Sequence, residues 1–101
     1  MTYVSINRAP IKPEAGPEFE RSAERWLRSQ REQLPRDELL SRQLVRADDQ
    51  AEYAVISVWA SREAHDRNED SPAEREAMRL IAGYLDGQPT QFTGEVVGEV
   101  G

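Results

Sequence analysis

Hydrophobic residues along this chain change spacing from block to block, and the changes mark its elements. Thr2 to Ala9 opens with Tyr-Val-Ser-Ile, rich in strand formers, and Pro10 and Pro13 interrupt it, so a first strand is predicted there. Ala15-Gly16-Pro17-Glu18 reads as a helix start, with proline at the first helical position and acids in the first turn. Phe19, Ala23, Trp26, Leu27, Gln30 and Leu34 then recur at helical spacing, and Pro35 stops the helix. Leu39 to Arg46 is a weaker strand pattern. Asp48-Asp49-Gln50 makes a turn, and Glu52 to Ala60 is the strongest strand pattern in the chain.

A second helical region begins at Ser61 and restarts at Ser71-Pro72-Ala73-Glu74, where serine, proline and glutamate take the cap, first and third positions of a capping box. Ala77, Met78, Ile81, Tyr84 and Leu85 form its apolar stripe, Asp86-Gly87-Gln88-Pro89 ends it, and Thr90 to Val100 reads as a last strand. The order β-α-β-β-α-β is the ferredoxin-like split β-α-β signature of an α+β fold, an antiparallel sheet with its helices on one face. The first and third strands are expected at its centre as a parallel pair. The other face would be left bare, and an exposed apolar face of that size marks an association surface, so a homodimer is expected.

Length adds that the 101 residues form one domain, 1–101, with a single core. A chain this short buries roughly two-thirds of its unfolded surface, which again favours a partner. Charge narrows the function. With a net charge of −6 and a pI near 4.8, the chain lacks the basic face a nucleic-acid binder needs, and Arg21, Arg25, Arg28 and Arg31 are interleaved with Glu18, Glu20, Glu24 and Glu32. Pairs such as Glu24–Arg28 read as a solvated helix surface. The absence of cysteine excludes disulfide and thiolate chemistry. No stretch approaches the roughly 20 apolar residues of a membrane span and no export signal opens the chain, so a cytoplasmic protein without membrane contact is expected.

The strand faces carry the candidate chemistry. Strand side chains alternate, so Val4 and Ile6 share one face of the first strand while Tyr3, Ser5 and Asn7 share the other. In the third strand Ala54, Ile56 and Val58 oppose Tyr53, Val55, Ser57 and Trp59. If the all-apolar sets point the same way, the other face gathers Tyr3, Ser5, Asn7, Tyr53, Ser57 and Trp59. Each such polar group buried without a partner costs roughly 1–3 kcal/mol. Grouped in a pocket, water or a ligand satisfies them. A core with scattered, locally bonded polar residues is the bland alternative.

At these residues the sequence resembles the antibiotic biosynthesis monooxygenase family, the dimeric α+β barrels. Val-Ser-Ile-Asn and Ala15-Gly16-Pro17-Glu18-Phe19-Glu20 resemble the first strand and helix start of its heme-degrading branch. Val58-Trp59-Ala60-Ser61-Arg62-Glu63-Ala64 and Ser71-Pro72-Ala73 resemble two later segments of the family, so the likeness spans most of the chain. The resemblance implies that Asn7 hydrogen-bonds the bound ligand or oxygen and that Trp59 is a pocket wall. It also implies, in the heme-degrading branch, an iron-ligating histidine after Ser-Pro-Ala, where this chain has Glu76, Ala77 and Met78. The single histidine, His65, sits on the preceding helix where the family has an aromatic packing residue, and Asn68 sits where it often has tryptophan.

The expected function is therefore oxygenation of a small aromatic, phenolic or polyketide-like substrate by molecular oxygen, with no metal or flavin. Asn7, Trp59 and His65 are the catalytic candidates, His65 as a base. Tyr3, Ser5, Tyr53, Ser57, Asn68, Met78, Ile81 and Tyr84 are the substrate-binding candidates. Heme held by Met78, His65 or water is one alternative, although methionine in an apolar stripe is usually core. A non-catalytic dimeric binding or scaffold module is another, which a pocket filled by side chains would favour.

Overall fold

A computed structural model describes all residues, 1–101. Its elements are β1 (Tyr3–Pro10), a short 3-10 turn (Pro13–Ala15), α1 (Gly16–Gln33), β2 (Leu39–Arg46), β3 (Glu52–Trp59), α2 (Arg62–Asn68), α3 (Pro72–Ala82) and β4 (Thr90–Glu95). The strands form one four-stranded sheet in the order β2-β3-β1-β4. The ferredoxin-like α+β fold expected from the pattern is present.

Local chemistry sets the element ends. Leu34 is extended (φ −105°, ψ 139°) ahead of Pro35, as the residue before a proline prefers. Ser61 Oγ accepts from the Ala64 N–H and Ser71 Oγ from the Glu74 N–H, capping α2 and α3. Gly87 takes φ 145°, and a Cβ there would stand 3.1 Å from Pro10 Cγ, so the turn into β4 requires glycine.

Three expectations are corrected. β1 and β3 are central but antiparallel, pairing Tyr3 with Trp59, Ser5 with Ser57 and Ala9 with Tyr53. With one helix between β1 and β2 and a tight turn between β2 and β3, the chain direction leaves no other choice. α3 ends at Ala82 rather than after Leu85, because the backbone beyond it pairs with the end of β1: Lys12 N–H donates to Tyr84 O (3.1 Å) and Asp86 N–H to Pro10 O (2.8 Å). β4 ends at Glu95, where its register reaches Tyr3, and after the Val96 N–H to Thr2 O bond no strand lies opposite.

All three helices cover one sheet face, the one carrying Tyr3, Ser5, Tyr53, Val55, Ser57 and Trp59, all buried. Side chains from α1 and α3 pack there in two groups, one around Ile11, Phe19, Ala23 and Tyr53 and one around Trp26, Val55 and Ala77. A third group joins Tyr3, Leu34, Leu39 and Trp59 to Ala64 and Ala73. The opposite face is bare: Val4, Ile6, Ile56 and Val58 are only half-buried, and Phe92 is 65% exposed.

Candidate active site

Between the helix-covered face and α3 lies a cleft of about 380 Å³, at the small end of the roughly 300–1,000 Å³ typical of ligand sites. Its walls are mostly apolar: Ala9, Phe19, Leu44, Val55, Trp59, Ile81 and Leu85. Ser5, Asn7, Arg42, His65, Glu69 and Glu74 supply the polar groups. The interior is thus open rather than filled by side chains.

β1 and β3 position the expected residues. Trp59 is 2% exposed and donates from Nε1 to Ser5 Oγ at 3.3 Å, which ties the indole to β1. Asn7 lies one pleat further along β1 and lines the cleft without a side-chain hydrogen bond to the rest of the chain. His65 reaches the cleft from α2, its ring packed against Tyr3 (centroids 5.1 Å) and edge-on to Trp59 (5.6 Å). Its Nδ1 is 2.9 Å from Asp66 Oδ1, so a proton on that nitrogen is held by the carboxylate and Nε2 is the free position. Tyr53, Ile81 and Met78 also line the cleft. Met78 is 61% exposed at its rim, contrary to its expected place in the core stripe, because the helix turns Ala77 inward instead.

Four expected residues lie outside the lining. Tyr3 supports the His65 ring from behind. Ser57 is fully buried and spends its hydroxyl on Arg42 Nε at 2.7 Å. The Asn68 amide donates to Ala64 O (2.7 Å) and Glu38 Oε2 (2.8 Å), tying α2 to the loop before β2. That amide, with Arg67, holds the Glu38 carboxyl below the usual carboxylate range. Tyr84 packs edge-on against Phe19 (5.5 Å) with its hydroxyl toward Glu18 and Ser22 on the outer side.

Arg42 and Glu74 were not foreseen. Arg42 leaves the inner face of β2 with its side chain 5% exposed, its guanidinium 5.6 Å from the Trp26 ring and 5.5 Å from the Trp59 ring. Nε donates to Ser57 and Nη1 to Gln30 Oε1. Glu74 Oε1 lies 2.8 Å from Nη1, yet it is buried and no N–H points at it, so the contact is ionic rather than a hydrogen bond. Glu74 also departs from the expected capping box: Ser71 caps its N–H, but its carboxylate turns to the buried cation instead of back to Ser71. The one available signal was Gln30, a polar residue inside the apolar stripe of α1.

At the sheet's other end Arg46 grips Glu20 through two 2.7 Å bonds, and Tyr53 donates to the same carboxylate. The hydrogen bonds from Arg46 and then Tyr53 bring the Glu20 pKa down to about 2. Burial, then the Glu20 contact, raises that of Tyr53. As for metals, His65, Asp66 and Glu69 place ligand atoms within 4.8 Å of one another, with both acids exposed. No helix is long and apolar enough to cross a membrane.

A family model for antibiotic biosynthesis monooxygenases matches residues 2–80. Among solved structures, Rv0793 from Mycobacterium tuberculosis superposes with a TM-score of 0.81 at 18% identity, over 100% of both chains. A protein from Caulobacter crescentus, described as an antibiotic biosynthesis monooxygenase, gives 0.82 at 18% identity over 96% of this chain and 91% of its own. SnoaB, a cofactor-independent oxygenase from Streptomyces nogalater, gives 0.70 at 13% identity over 98% and 96%. No curated protein matches the sequence significantly. At these identities the structures speak for the fold alone.

Proposed function

Starting from the fact that this chain belongs to the antibiotic biosynthesis monooxygenase family, we propose that its cleft oxygenates a small phenolic or enolisable aromatic compound with molecular oxygen and no metal or flavin. The observation that carries this is the open, largely apolar cleft with its few convergent polar groups. A filled interior would have pointed to a scaffold module.

Ground-state oxygen reacts slowly with closed-shell molecules, but a resonance-stabilised anion gives it one electron readily. The protein then has to remove a proton, hold the anion and keep water out. In this reading His65, oriented by Asp66, takes the substrate proton on Nε2. Asn7 hydrogen-bonds the developing oxyanion or the incoming oxygen, and Trp59 and Ile81 bound the aromatic plane. For an anthrone, the methylene carbon becomes a carbonyl carbon, and the second oxygen atom leaves as water. SnoaB, described as a cofactor-independent oxygenase, lends the same direction.

The test is oxygen uptake by metal-free protein offered anthrones and hydroquinones. Substrate-dependent uptake that falls about 10- to 100-fold in Asn7→Ala is expected, the loss of one hydrogen bond to a charged group. Uptake that appears only after hemin is added, with a saturable Soret shift lost in Met78→Leu, would replace this reading by a heme-dependent one. We further propose that the bare sheet face closes a homodimer. Burying each half-covered large apolar side chain contributes up to roughly 1.5–3 kcal/mol. A dimer mass by light scattering that reverts to one subunit in Ile56→Asp is expected.

A further inference from the structure

We infer that Arg42 and Glu74 form a hydroxyl-recognition anchor inside the cleft, selecting ligands whose phenolic or enolic O–H accepts from the arginine and donates to the glutamate. The inference rests on the cleft being a small-molecule site, as proposed above, and it names the chemical group that site selects.

The argument begins with unmet hydrogen-bonding capacity. A guanidinium has five N–H donors, and one buried this deeply is costly unless they are used. Arg42 Nε is spent on Ser57, and Nη1 on Gln30 and the contact with Glu74, but Nη2 has no partner in the chain. Glu74 is its complement: Oε1 lies closed against Nη1, but Oε2 has no partner in the chain and stays open, the side chain being 22% exposed. Both residues line the cleft. One side therefore offers a donor with no acceptor, and the other an acceptor with no donor.

Few ligand groups answer both at once. An ether or ketone oxygen accepts but cannot donate, and would leave the Glu74 carboxylate unmet. A carboxylate would meet Glu74 with like charge. An ammonium would satisfy Glu74 and repel Arg42. A hydroxyl on an aromatic or enolic carbon does both, and its ring would lie beside Trp59, whose indole already flanks the guanidinium at 5.5 Å. The charges within the pair cancel, so the anchor reads hydrogen-bond direction rather than net charge. A site built this way discriminates strongly, because an analogue lacking the O–H covers both groups without pairing them.

The support behind the pair indicates that it is held in place. Ser57 is fully buried and Gln30 is 2% exposed; Ser57 holds Arg42 by Nε, and Gln30 by the same Nη1 that faces Glu74. Gln30 is itself tied through Nε2 to Ala73 O at 3.3 Å, next in sequence to Glu74. Strand and helix thus fix both halves of the anchor through one connected set of bonds.

The test compares three probes of similar shape, β-naphthol, its methyl ether and naphthalene, by quenching of tryptophan fluorescence and by calorimetry. The wild-type protein is expected to bind naphthol about 10- to 100-fold more tightly than either analogue. The double variant Arg42→Met/Glu74→Leu replaces the pair by apolar side chains, a change that commonly preserves stability. It is expected to bind all three alike. Equal binding of the three probes by the wild type, no binding of naphthol, or a naphthol preference surviving in the double variant would each overturn the anchor. Oxygen uptake separates the two proposals. Naphthol selectivity without uptake on any phenol keeps the anchor and removes the monooxygenase reading, while unchanged turnover in the double variant does the reverse.

Discussion

Arg42 and Arg46 leave the same face of β2, two pleats apart, and each meets a glutamate carried by a helix. Their surroundings differ. Arg46 is 52% exposed and Glu20 33%, and the pair is closed by two bonds of 2.7 Å with Tyr53 completing the carboxylate. Arg42 is 5% exposed and lies between two tryptophans, and its glutamate is close but not properly hydrogen-bonded. The outer pair has good geometry in a screening solvent, where ion pairs contribute little. The inner pair has imperfect geometry around a buried cation, and solvent reaches only one side of its glutamate. Completeness therefore separates a structural clamp from a site poised to take another group.

The comparison breaks most visibly on deleting one inner partner. Arg42→Met should destabilise the domain by about 2–4 kcal/mol, since it leaves buried Ser57 and Gln30 without their donor and the partly exposed Glu74 without its cation. Urea denaturation measures this, and adding Glu74→Leu should restore part of the loss. A single variant as stable as the wild type would mean that water reaches Glu74 freely.

Ser57→Ala comes next, at about 1–3 kcal/mol, by taking the acceptor from Arg42 Nε. The same deletion should lower the naphthol-to-ether ratio, because a loosened guanidinium presents Nη2 less well. A stability loss with an unchanged ratio would show that Ser57 supports the fold and not the anchor.

Arg46→Met should change stability least of the three, and less still in high salt, where exposed pairs are screened. The Glu20 carboxyl sharpens the contrast further. Its folded pKa, about 2, lies below the ordinary value of 4.5, so its contribution is full above 4.5 and is lost as pH falls toward 2. A carbon-detected NMR titration should find that midpoint in the wild type and a return toward 4.5 in Arg46→Met. A wild-type midpoint near the ordinary value would mean the clamp is not formed in solution.

The clamp and the anchor also differ in how far they were legible. The alternation in β1 and β3 is regular, so the gathering of Ser5, Asn7, Tyr53 and Trp59 on one face is legible in the sequence itself. β2 reads Leu-Leu-Ser-Arg-Gln-Leu-Val-Arg, with no clean alternation and a register shift between Leu39 and Ser41. Nothing in that string says that Arg42 faces inward. Glu74 was legible as a helix-capping residue, a role that a buried cation across the interior then displaced. Ser57 was legible as a polar residue on a strand face and Asn68 only through the family resemblance, but their partners, Arg42 and Glu38, come from β2 and the loop before it.

Local rules sufficed wherever the deciding interaction lies within a few residues: proline and serine at helix starts, glycine in a left-handed turn, alternation along a strand. From these the chain alone determined its element order, its ferredoxin-like fold and the face on which polar residues gather. Which of those residues line an open cleft, which are consumed by partners, and where a strand end or a helix end falls depended on contacts between segments far apart in sequence. Tertiary structure decided them because the cost of an unpaired buried group depends on what the whole fold brings within hydrogen-bond reach.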